Sequence, residues 1–159
     1  MRRTFALTVA LALALAIVLV IPQTGLASER RTVTKTYGLE RHDEVEVKVH
    51  IGEAEIEHFR IHDYPSHEKI EKGEKDRHDS SSIDIVFTYT NRDHEHDYKC
   101  KYTVSLLNEH GKVLGEGDAE RTLDKGKHHD TNKVSLKMHT HKYGEVAKVR
   151  VTYAMREKD

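Results

Sequence analysis

Two histidines one residue apart, His94 and His96, sit in NRDHEHDYKC, residues 91 to 100, between charged turn residues and the start of an alternating segment. A second pair, His128 and His129, closes DKGKHHD, and a third, His139 and His141, follows KVSLKM. On extended chain, residues i and i+2 point to the same side, so a pair such as His94/His96 can supply half of a zinc or copper site. A complete site needs three or four donors converging at about 2 Å from the ion, so the elements that carry the pairs decide what they can do.

Four segments alternate apolar and polar residues with period two, the signature of half-buried antiparallel strands. Ile83, Ile85, Phe87 and Tyr89 share one face of the first, and Tyr98, Cys100, Tyr102, Val104 and Leu106 one face of the second. Val134, Leu136 and Met138 mark the third, and Ala147, Val149, Val151, Tyr153 and Met155 the fourth. Gly115 and Gly117 interrupt a strand near 112–122 and mark a bulge or a close backbone approach. Val45, Val47, Val49 and Ile51 alternate upstream, followed by either a bend at Gly52 or a hairpin on Gly52–Glu53. Gly111 and Gly126 mark turns, and the charged stretch 64–81 reads as a long loop.

If the strands near 83–90, 98–107, 112–122 and 131–138 run antiparallel in succession, the 91–97 and 123–130 connections lie at one end of the domain. His139, His141 and His110 lie at the other. The metal expectation is therefore zinc or copper on His94, His96, His128 and His129, with Asp97 or Asp130 as further donors. Arg92, Lys125 and Lys127 in the same loops oppose a cation, and His42, His50, His58, His62, His67 and His78 are scattered along the chain. Solvated polar loops are thus the leading reading, with no resident cofactor. A blue-copper site fails on spacing: His110 is the first histidine after Cys100, and Met138 lies far beyond. Thirteen histidines also allow a large positive swing in acid; incidental buffering is the leading reading of it, and association with an anionic surface at low pH the alternative.

Signatures of catalysis are missing: the sequence holds no G-x-S-x-G, H-E-x-x-H or Walker loop. Glu55 and Glu57 alternate with apolar neighbours and read as a solvated face. No enzyme activity is expected. Arg2 and Arg3, an apolar run from Phe5 to Ile21, then Pro22, Gly25 and Ala27 have the layout of a secretory signal peptide cleaved after Ala27. An uncleaved anchor is the alternative. Cleavage leaves 132 residues with 24 basic and 27 acidic side chains and no further membrane span. That balance excludes the basic field that nucleic acid requires. Cys100 stands alone, so no internal disulfide staples the fold, and a buried small hydrophobe is its expected role.

These features predict an all-β fold: residues 28–44 an extended N-terminal segment, and residues 45–159 an antiparallel β-sandwich of six to seven strands. The run IVFTYTN, then YTVSLLNEHGKVLGEGDAERTLDKGK and KVSLKM, resembles the FxLYD-type and related immunoglobulin-like domains of exported bacterial proteins over residues 82–155. LLNEHG stands where that family favours LYD–G, and DKGK where it favours PGE. The resemblance implies an immunoglobulin-like sandwich in an interaction or structural role, and carries over no catalytic residue. The expected protein is therefore a periplasmic or secreted, non-catalytic module of the cell envelope with a protein partner, meeting it through sheet edges or end loops. The alternative is a periplasmic zinc- or copper-binding protein using the four histidines above.

Overall fold

A computed structural model describes residues 30–39, 44–62 and 80–158. The expected leader, nearly all of the charged loop, and His42, His67 and His78 lie outside the described residues. The strands are β1 (Arg30–Gly38), β2 (Val45–Ile51), β3 (Ala54–His62), β4 (Ser80–Asn91), β5 (Tyr98–Leu107), β6 (Val113–Leu123), β7 (Lys127–His139) and β8 (Lys148–Glu157). A 3₁₀ turn, Thr140–Glu145, precedes β8. None of the described helices is long and apolar enough to cross a membrane.

The strands form two antiparallel four-stranded sheets, β1-β8-β5-β6 (sheet A) and β2-β3-β4-β7 (sheet B). This is the β-sandwich that the alternation predicts, with eight strands where six to seven were expected. The eighth is β1, within the segment expected to be merely extended; it pairs along its length with β8, from Arg30↔Arg156 to Gly38↔Lys148. Its inward positions, Arg31, Val33, Lys35 and Tyr37, mix cations with apolar residues, which hides the period. Between β2 and β3 the hairpin alternative holds, with Ile51 opposite Ala54.

Consecutive strands β4 and β5 lie in different sheets, as do β7 and β8, while β4 pairs with β7 and β5 with β8. Both connections, β4 to β5 and β7 to β8, pass from one sheet to the other and tie the two sheets together. Between the sheets, Phe59, Phe87, Tyr102 and Tyr153 are fully buried. Phe87 stacks on Tyr102 at 4.4 Å between centroids, and Tyr153 meets both edge-on. Cys100 is buried beside them, and burial pushes its thiol up to about 12, leaving it inert at neutral pH.

Side chains close both open sides of the sandwich. Along β6 and β7 the backbones approach closely: a Cβ at Gly117 would fall 2.7 Å from the Leu136 Cβ. There Asn132 Nδ2 donates to the Thr122 carbonyl at 3.2 Å and Arg121 Nε to the Lys133 carbonyl at 3.1 Å. Along β1 and β2, Arg31 donates to the His50 carbonyl at 2.7 Å, and the Lys35 ammonium to the carbonyls of Val47 and Lys48. Inward-pointing cations on an edge strand are a recognised obstacle to pairing with another chain.

Candidate functional site

The 92–97 connection and the 124–126 turn share one end, as the antiparallel order predicts, and they touch. Gly126 N–H donates to the Asp93 carbonyl at 2.8 Å, and Lys125 N–H to Asp97 Oδ1 at 2.9 Å. Asn91, fully buried at the end of β4, anchors the assembly. Its Nδ2 donates to the carbonyls of His96 and Leu123, each at 3.0 Å, and its Oδ1 accepts from Asp93 N–H. Asp93 in turn accepts N–H bonds from Glu95 and His96, which hold its carboxyl far below the usual carboxylate range.

Although the loops meet, the four candidate histidines go to separate places. His94 lies beside Gly126. His96 Nδ1 sits 2.9 Å from Asp93 Oδ2, and its Nε2 3.5 Å from Glu157; the hydrogen bond to Asp93 raises its pKa above the ordinary imidazole value. His128 and His129 belong to β7 and not to the preceding connection. His129 Nδ1 lies 2.8 Å from Glu57 Oε2, on the outer face of sheet B. Among the described residues no group of three or more His, Cys, Asp and Glu is arranged to hold a metal ion. Asp97 is engaged by Lys125 N–H and Lys158, and Asp130 by the Tyr89 hydroxyl at 3.3 Å.

The His129–Glu57 contact rests on a feature that runs across the whole of sheet B. Val47 and Lys48 of β2 together oppose the single Glu57, between the pairs Glu46↔His58 and Val49↔Ile56. Glu57 is in turn one residue too many against β4, between Ile56↔Tyr89 and His58↔Thr88. Thr90 faces both His128 and His129, between Tyr89↔Asp130 and Asn91↔Lys127. Three adjoining ladders thus carry bulges in one row, a device that re-aims side chains and recurs beside functional sites. Lys48 and His129 adopt φ values of 50° and 52°, a region costly for residues with a Cβ.

Glu57 is the focus of the row. Burial alone would raise its pKa, but hydrogen bonds from Thr90 and His129 and the nearby imidazoles outweigh that and leave it below the ordinary value. Thr90 also accepts the His129 N–H at 3.1 Å, so hydroxyl, carboxylate and imidazole form one closed set. With Nδ1 engaged, the Nε2 atom of His129, a side chain 75% exposed, is left on the solvent side.

Beside this set an open cleft of about 380 Å³ is lined by Glu44, Glu46, Lys48, Glu55, Glu57 and His58. Lys48 pairs with Glu46 at 2.5 Å, His58 with Glu44 at 3.3 Å, and His50 with Glu55 at 3.5 Å. Four carboxylates against one ammonium make the cleft acidic whenever the imidazoles are neutral. Sequence reasoning missed Glu57, Thr90, Lys48 and His58 as a site. One signal was present: apolar spacing lengthens from two to three between Ile56 and Phe59, as an inserted residue requires.

No protein-family model, curated protein or solved structure matches the chain.

Proposed function

We propose that the chain is an exported, non-catalytic interaction module of the cell envelope, periplasmic or secreted. In this reading the outer face of the β2–β3 hairpin receives a basic segment of a protein partner. The observation that carries it is the bulge row, which gathers four carboxylates around one cleft and fixes Glu57 by hydrogen bonds on two sides. A lysine or arginine side chain laid in that cleft would meet acceptors already oriented, with little ordering left to do. Capped seams speak against strand addition at the edges and leave the faces as contact surfaces. Export is supported by Arg2, Arg3, the apolar run and Ala27. Immunoglobulin-like kinship is supported by the motifs of residues 82–155 and by the interlocked β4/β7 and β5/β8 pairs.

The test is fluorescence anisotropy of a labelled hexalysine peptide at low ionic strength, with hexaglutamate as the control. Hexalysine is expected to bind and to weaken with added salt, since exposed pairs are screened. Glu46→Gln with Glu55→Gln is expected to weaken it about tenfold, at up to about 1 kcal/mol for each exposed pair. Equal affinity for the two peptides, or none for hexalysine, would contradict the reading.

A further inference from the structure

On the opposite face, sheet A places three cations directly across from one another. Arg30 of β1 opposes Arg156 of β8, and Arg156 opposes Lys99 of β5. Direct opposition puts all three on one side of the sheet, with Cβ atoms about 5 Å apart between neighbours, and like charges so placed destabilise the pairing. Lys99 in turn faces Thr122 of β6, so the row ends on a hydroxyl.

The acids of β6 do not cancel the row. Glu116 accepts from Ser105 at 2.6 Å, and Asp118 pairs with Lys101 at 3.4 Å. Only Glu120 reaches the row, and a single oxygen, Oε1, serves both Lys99 at 3.7 Å and Arg156 at 3.8 Å. Among the described residues three cations meet one carboxylate, an excess of two positive charges. Among the described residues no second carboxylate pairs with the row, whereas Lys101 has Asp118 and Lys148 donates to the Glu109 carbonyl at 3.2 Å.

We propose that the Arg30–Arg156–Lys99 row is a binding site for a phosphomonoester-type dianion. Such a group carries between about 1.5 and 2 negative charges near neutral pH and three acceptor oxygens, which matches the excess charge and the number of donors. Two guanidinium groups and an ammonium set across three hydrogen-bonded strands can each take one oxygen, and the Thr122 hydroxyl stands at the end of the row. The dianion also removes the repulsion that the row imposes on β1, β8 and β5. The same chemistry is offered by free phosphate and by a phosphorylated lipid headgroup.

The experiment measures thermal stabilisation of the purified chain by inorganic phosphate, and its cosedimentation with phosphatidylcholine vesicles with and without phosphatidate. The variants are Arg30→Gln alone, Arg156→Gln with Lys99→Gln, and Lys148→Gln as a same-face control. Arg30→Gln, at the start of an edge strand, should leave Tm equal or higher without phosphate, because a like charge has gone. Both row variants should bind phosphate or phosphatidate at least about tenfold more weakly than the unaltered chain, a loss of one charge-assisted hydrogen bond or more. Lys148→Gln should bind as the unaltered chain does. Binding of phosphate alone assigns a soluble ligand, binding of phosphatidate vesicles alone a lipid one, and binding of both a site open to either. Binding of neither, unchanged binding in Arg30→Gln, or an equal loss in Lys148→Gln would overturn the site.

Discussion

Asn91, Gly52 and His96 each sit where chain segments distant in sequence meet, and each responds to substitution in its own way. Asn91→Ala leaves the buried Leu123 carbonyl, the part-buried His96 carbonyl and the Asp93 N–H without their partner. Urea unfolding is expected to show a loss of about 3 kcal/mol. Gly52 has φ of 51°, and a Cβ there would overlap the Tyr98 hydroxyl. Gly52→Ala should therefore cost about 2 kcal/mol, with the β2–β3 amides exchanging first. His96 acts through its charge. Its pKa is raised in the folded chain, so its contribution is complete below the ordinary imidazole value of 6.5 and fades as pH rises through the folded value. Melting scans should show Tm falling as pH rises above that value, and His96→Gln should flatten this part of the profile. An unchanged slope in His96→Gln would contradict the assignment. Asp93 lies so far below its ordinary range that its bonds persist through mild acid.

At the scale of elements, period two told most of the story. β4, β5, β7 and β8 fall where alternation puts them, and the buried faces are those of Ile83 to Tyr89, Tyr98 to Leu106, Val134 to Met138 and Val149 to Met155. β1 was harder to see because Arg31 and Lys35 occupy inward positions where oily residues would be diagnostic; their stems lie against the seam and their heads serve β2 carbonyls. His128 and His129 read as loop because a bulge breaks their rhythm, yet they lie within β7 as its bulged residues. The glycines of β6 read as a bulge or a close approach, and the structure has both: a register shift opposite Leu106 and Leu107, and a tight seam with β7 at Gly117. Gly117→Val should thus force β6 and β7 apart and cost about 2 kcal/mol or more, as overpacking does. Gly38→Val, at the end of β1 with nothing within 4 Å, should be near neutral in the same urea titration. Equal effects would contradict the seam.

For the whole molecule, composition told only that the surface is charged, and not how the charges are sorted. The sorting depends on register. Glu57 meets His129 across 72 residues because two bulges place them in one row, and register is not a property of either segment alone. The two faces come out different: an acidic cleft over β2 and β3, and a cationic row over β1, β8 and β5. The proposed contact surface is the cleft beside the bulge row of sheet B. Backbone amide shifts recorded while hexalysine is added test it most directly. The expected result is that the largest changes fall on residues 44–58, Thr90 and His128–Asp130, with β6 and β8 unmoved. Changes spread evenly over the charged surface, or centred on the loops at 92–97, would contradict it.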